Sequence, residues 1–114
     1  GLLKGVIGRA VERLAELGTG GVRAWIGPHI CGTCYEVPDA MAQDAAERLG
    51  VGVARTRWGT SGIDLGAAAR HQLEVAGASW ESWEDCTLTD ESLHSHRRGS
   101  AGRQLGVAWL TAGD

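Results

Sequence analysis

Ile26-Gly27-Pro28-His29-Ile30-Cys31-Gly32-Thr33-Cys34-Tyr35-Glu36-Val37 is the stretch on which the reading of the whole chain turns. It holds two of the three cysteines, one of the four histidines, the only tyrosine and one of the two prolines. A β-prone run, Val22 to Ile26, feeds into it and is stopped by Gly27-Pro28. A helical pattern leaves it at Pro38-Asp39 and runs to Leu49, with Gly50 as its stop.

Upstream, Leu2, Leu3, Val6, Ile7, Ala10, Val11, Leu14 and Leu17 recur at helical spacing, with charged residues between them. That pattern predicts an amphipathic helix with one buried stripe, ended by Gly18, Gly20 and Gly21. It starts at the first residues with nothing before it to act as a cap. Downstream, Val51 to Trp58 reads as a strand and Gly59-Thr60-Ser61-Gly62 as a turn. Asp64 is the expected N-cap of a helix through Ala76, with Gly77 as its C′ residue. Trp80 to Glu84 reads as a strand, and Thr89 as the cap of a short turn over Asp90 to Leu93. Gly99 to Gly102 is a loop, and Arg103 to Thr111 is a nearly continuous apolar run expected as a buried closing strand. The alternation predicts an α+β chain, a layered α/β sandwich with a mixed sheet. Nothing marks a second domain within residues 1–114.

Eighteen glycines in 114 residues are about twice the usual share and imply many turns and close backbone approaches. A net charge of −3 argues against a nucleic-acid or anionic-membrane partner. No apolar run approaches the roughly 20 residues that span a bilayer. An odd number of cysteines fits a reducing compartment better than a disulfide framework, so a cytoplasmic protein is expected.

His29, Cys31 and Cys34 form the sharpest local pattern. A Cys-x-x-Cys pair offers two thiolates to one tetrahedral zinc, and Cys86, His94 and His96 are the nearest types for further ligands. Cys86 lies far outside compact finger spacing, and Tyr35 to Pro38 separates the pair from the helix start that redox use expects. Ordinary loop cysteines, a zinc-binding or interaction module on His29, Cys31 and Cys34, and redox chemistry all remain open. His94 and His96 alternate as metal ligands on one strand face would, or as a solvated segment does. Arg97, Arg98 and Arg103 surround Gly99-Ser100-Ala101-Gly102, where guanidinium groups clamp phosphate or simply form a charged turn. Asp64, Glu84 and Asp85 read as a cap and a polar strand end, His71 as a surface or packing residue, and the five tryptophans as core or interface.

Taken in order, these residues resemble a known family. Ile26-Gly27-Pro28-x-Ile30, Cys34-Tyr35-Glu36-Val37, Ile63-Asp64-Leu65, Asp85-Cys86-Thr87 and Ser95-His96-Arg97-Arg98 with Gly102-Arg103-Gln104 are similar to motifs of the bacterial laccase-domain proteins. That family is also called the polyphenol oxidoreductase or peptidoglycan-editing-factor family, and Val107 to Leu110 fits the strand after its last motif. The resemblance implies phosphorolysis of adenosine, inosine and methylthioadenosine, and adenosine deamination, served by a zinc ion on two His and one Cys. Copper-dependent phenol oxidation ranks lower, since nothing here looks like a His-rich copper site.

The family segments that carry the zinc ligands have no counterpart here, so the resemblance places the catalytic metal site upstream of Gly1. On that reading residues 1–114 are the C-terminal half of a larger protein, inactive alone and with no metal ligand of their own. Arg97, Arg98 and Arg103 are then the expected contacts to phosphate or nucleoside, and Gly27, Pro28, His29 and Cys34 a pocket wall. His96 stands where the family usually has Tyr. Cys31 occupies a variable position, which makes the Cys-x-x-Cys pair incidental. A half-protein is also expected to expose apolar surface and to self-associate or be complemented by its N-terminal half.

Overall fold

The computed structural model of the chain describes residues 1–18 and 20–109. Helices α1 (Val6–Leu17), α2 (Asp39–Leu49) and α3 (Leu65–Val75) alternate with short strands. The strands are β1 (Arg23–Ile26), β2 (Val53–Arg55), β3 (Ser61–Ile63) and β4 (Ser79–Ser82). The class is α+β. The parallel and antiparallel pairings fall in separate two-stranded sheets, β1–β4 and β2–β3.

Helix α3 holds the two halves of the interior together. Asp64 Oδ1 accepts the Ala67 N–H at 2.9 Å, the expected cap. At its other end the Ala78 N–H reaches Leu73 O at 2.9 Å across a left-handed Gly77, a Schellman-type stop. Ala68 packs with Val37, Ala45, Leu49 and Ile63 in one core. Leu73 packs with Val11 and Ala78 in the other.

The first helix differs from its sequence pattern. Leu2–Lys4 form a separate 3-10 turn, and Gly5, left-handed at φ 76°, breaks the backbone before α1 begins. Of the apolar stripe only Val11 is buried, while Val6, Leu14 and Leu17 are 52%, 54% and 70% exposed.

Residues 26–37 join the two sheets. β1 runs parallel to β4, with Arg23 opposite Ser79 and Ile26 opposite Ser82. The pairing continues past both strands, because the Trp83 N–H donates to Ile26 O at 2.8 Å and the Thr87 N–H to His29 O at 3.1 Å. A bridge then sets His29 opposite Cys86, so three residues (83–85) lie against two (27–28). Pro28 has no N–H to give the ladder, which suits the offset. Beyond the Cys31–Tyr35 turn the chain pairs with the other sheet: the Val37 N–H donates to Ser61 O at 3.0 Å and Glu36 bridges Gly62.

Three further expectations change. Ser61 and Gly62 are strand rather than turn, and the turn of the β2–β3 hairpin is residues 56–60. The reason is local crowding: a Cβ on Gly62 would lie 2.9 Å from Gly32 O and 3.0 Å from Tyr35 O. Asp90, not Thr89, caps its own turn, its Oδ1 accepting the Ser92 N–H at 3.0 Å. The expected closing strand over Arg103–Thr111 is absent through residue 109, and Thr111 lies outside the described residues. Leu105, Val107 and Trp109 are 86%, 68% and 75% exposed, since an apolar run needs a partner edge to become a strand.

The surface area, 7895 Å², is about a third above the roughly 6,000 Å² of a folded monomer of this mass. Substituting Gly62→Ala should lower unfolding stability by about 1–3 kcal/mol, because two carbonyl oxygens, not a flexible side chain, must move. A denaturant midpoint equal to that of the parent would mean that residues 32, 35 and 62 are not packed as described.

Candidate functional site

Two loops face each other across a cleft of about 360 Å³, lined among others by Pro28, His29, Tyr35, His94, His96 and Arg97. On the first loop, His29 Nδ1 lies 2.8 Å from Gly27 O. A carbonyl oxygen only accepts, so the proton sits on Nδ1 and, in the neutral ring, Nε2 carries a free lone pair. The ring rests on the first turn of α3, where only glycine fits: a Cβ on Gly66 would lie 2.6 Å from His29 Nε2. The second loop closes on itself around buried Ser95, whose Oγ accepts the Arg98 N–H at 3.1 Å. The Ser100 N–H returns to Ser95 O at 2.8 Å, and Gly99 turns at φ 96°. Gln104 Nε2 donates to His94 O at 2.7 Å and pins the loop's exit.

The three arginines that look alike in sequence occupy different roles. Arg98 spends its donors on the backbone of its own loop, donating to Thr87 O at 2.6 Å, to Leu88 O at 3.1 Å and to Leu93 O. Arg103 binds Gly102 O at 2.9 Å, and its Nη2 donates to His96 Nδ1 at 3.1 Å. A guanidinium has no lone pair to give, so His96 Nδ1 accepts and, in the neutral ring, its proton sits on Nε2. Among the described residues Arg97 makes one hydrogen bond, to Glu36 O at 2.8 Å, and lies 5.1 Å over the Tyr35 ring with donors left over. Gly27 does not line this cleft; with Pro28 it lines a wider groove beside Trp25 and Trp83. That groove carries Glu81, Glu84, Asp85 and Asp90 and no guanidinium, which disfavours an anion there.

Cys34 does not line the cleft; it is buried, next to half-exposed Cys31 and Cys86, the three sulfurs all within 4.8 Å of one another. The Cys34 and Tyr35 N–H groups both donate to Cys31 O at 3.0 Å, a tight turn that sets the first two thiols on one side. The parallel ladder delivers the third. All three cysteines are free. Burial, then the Cys31 thiol and the neighbouring Cys86, pushes the Cys34 thiol up to about 11. Arg57 opposes this, its Nη2 lying 2.8 Å from Cys34 Sγ. Burial alone would also raise Cys86, but backbone N–H donors, that of Cys31 first, outweigh it and lower the thiol to about 6.

The trio is a donor set that could bind a metal, and it is all sulfur. His29 belongs to the cleft and not to the trio. Among the described residues no three-donor group contains a histidine, so they do not fit a His-rich copper centre. The sequence offers Cys86 as a ligand type but at a separation outside compact finger spacing, and no motif marks Arg57. A signal existed: pairing Val22–Ile26 in parallel with Trp80–Glu84 carries the segments that follow, with His29 in one and Cys86 in the other, alongside each other.

A family model described as multi-copper polyphenol oxidoreductase laccase matches residues 1–111. A purine nucleoside phosphorylase of Corynebacterium glutamicum is 39% identical over 114 residues, covering 96% of this chain and 46% of the relative. Its Streptomyces coelicolor counterpart is likewise 39% identical over 114 residues, covering 96% and 47%. A purine nucleoside phosphorylase of Aquifex aeolicus is 32% identical over 99 residues, covering 86% and 46%. The chain thus spans about half the length of the curated relatives it matches. No solved structure matches it significantly.

In chelator-treated protein, iodoacetamide should alkylate Cys86 with a rate that titrates near pH 6, against 9.0 for an ordinary thiol. Because folding lowers this pKa, its contribution to stability is full above pH 9.0 and disappears as pH falls through about 6. A Cys86 alkylation rate still climbing through pH 9 contradicts the amide contacts assigned to its sulfur.

Proposed function

The chain belongs to the family described as multi-copper polyphenol oxidoreductase laccase, and from that premise we propose that it supplies the phosphate- and nucleoside-binding cleft of a purine nucleoside phosphorylase. The single observation that carries this reading is the cleft between residues 28–35 and 94–97. There an arginine with unused donors stands over an aromatic ring, beside two imidazoles in opposite tautomers. The relatives from Corynebacterium glutamicum and Streptomyces coelicolor, both named purine nucleoside phosphorylases, support the same reading.

In phosphorolysis a phosphate oxygen bonds to ribose C1′ as the C1′–N9 bond breaks, and the departing purine takes up a proton. Arg97 is suited to bind the phosphate, where a guanidinium neutralises charge and donates two parallel hydrogen bonds. His96, held by Arg103, offers an N–H, and His29 offers a lone pair, so a substrate with both acceptor and donor edges is matched. Adenosine, inosine and methylthioadenosine are the proposed nucleosides, with adenosine deamination as a companion reaction. A zinc ion, held outside residues 1–114, is proposed to polarise the substrate or activate water. The part of the protein that corresponds to the rest of the relatives' length is proposed to cover the exposed face of α1.

The test uses the whole protein, assayed for hypoxanthine released from inosine and phosphate. Replacing Arg97→Met should raise the phosphate KM about tenfold or more, a loss of about 1.4 kcal/mol of binding, with the thermal midpoint unchanged. Arg98→Met should instead lower the midpoint, because the carbonyl groups of Thr87, Leu88 and Leu93 lose their shared donor. An Arg97→Met enzyme with unaltered phosphate KM would sink the assignment. Residues 1–114 alone should release no hypoxanthine, and turnover by them would refute the outside metal.

A further inference from the structure

We propose that Cys31, Cys34 and Cys86 form a zinc site of their own, a trithiolate that ties the loop after β1 to the segment after β4. This inference does not depend on the nucleoside reading. Zinc–sulfur bonds of about 2.3 Å place the sulfurs of a tetrahedral site roughly 3.8 Å apart. Here all three lie within 4.8 Å of one another.

The backbone holds them there. The Cys31–Tyr35 turn orients Cys31 and Cys34, with both N–H donors on Cys31 O at 3.0 Å. Cys86 is fixed on one side by the Thr87 N–H to His29 O bond and on the other by the Asp90 N–H to Cys86 O bond at 2.9 Å. The Cys31 N–H points at Cys86 Sγ, 3.3 Å away, a contact typical of metal-bound thiolates. Thr33 Oγ1 lies 3.3 Å from Cys31 Sγ.

Charge selects the ion. Three thiolates on a divalent zinc leave one negative charge, and one guanidinium, Arg57, stands 2.8 Å from Cys34 Sγ to balance it. The same thiolates on a monovalent copper would leave two. Arg57 is itself placed by its N–H to Thr33 O at 2.9 Å, so the counter-charge is built into the loop it stabilises. Three protein ligands leave the fourth position for water or a small ligand. A disulfide would use two of the sulfurs, strand the third and require an oxidant.

The test is the zinc content of the whole protein, purified under reducing conditions. Cys31→Ser and Cys86→Ser should each lose one zinc per chain relative to the parent, and Arg57→Gln should keep the ion but release it to a chelator about tenfold more readily. A second measurement needs no variant. In the parent, peptide-level mapping should find half-exposed Cys31 and Cys86 protected from iodoacetamide until a chelator is added. Four results overturn the proposal: unchanged zinc in both serine variants, equal alkylation with and without chelator, copper in place of zinc, or a metal-free protein lighter by two hydrogen atoms.

Discussion

Parallel pairing between β1 and β4 sets Arg23 opposite Ser79 and, after a one-residue offset at Pro28, brings His29 opposite Cys86. Both the cleft and the thiol trio depend on that ladder, since each takes one wall from the first segment and one from the second. Closing it costs loop entropy over more than fifty residues, which grows only as the logarithm of length. The intervening chain offsets that cost with local structure of its own: α2, the β2–β3 hairpin and α3. Leu73 and Ala78 then pack against Val11 beneath the paired strands. Such a non-local contact forms late relative to the helices, so the chemistry is assembled only once the core is in place.

What the sequence made legible was whatever the local chain decides alone. Asp64 followed by an apolar period and closed by Gly77 describes α3 almost completely, because cap, body and stop lie within fourteen residues. Gly50 does the same for the end of α2. Where the outcome depends on a distant partner, local pattern misleads. Ser61-Gly62 looks like turn chemistry, yet Gly62 is a strand glycine because Gly32 and Tyr35 press on it from another loop. Residues 103–109 look like the most buried strand in the chain and are exposed, since no described strand lies beside them to pair.

The candidate site shows the same division at the level of side chains. Their clustering around Gly99-Ser100-Ala101-Gly102 brings out Arg97, Arg98 and Arg103 as a group, and the structure has a closed loop there. Which guanidinium keeps donors for a ligand depends on backbone carbonyls at residues 87, 88 and 93, and a carbonyl has no letter in the sequence. The tautomers of His29 and His96 are fixed by Gly27 O and Arg103, again by geometry rather than by residue type. Cys86 was visible as a ligand type, but its distance along the chain concealed a distance in space of under 5 Å.

Residues 26–37 therefore serve three structures at once: they extend the parallel sheet, turn through Cys31–Tyr35, and pair with β3. Each use restricts the others. His29 lines the cleft, while Cys86, its partner across the bridge, has its sulfur 3.3 Å from the Cys31 N–H. Arg57 comes from the hairpin turn, Arg97 from the closed loop, and the two cations approach Cys34 and Tyr35, adjacent residues of one turn. A shift of that turn by even an ångström would loosen the thiol cluster and the aromatic wall of the cleft together. The physical coupling between the two sites is short, a few bonds of a single backbone. Whatever holds the sulfurs together therefore also holds the face on which Arg97 rests.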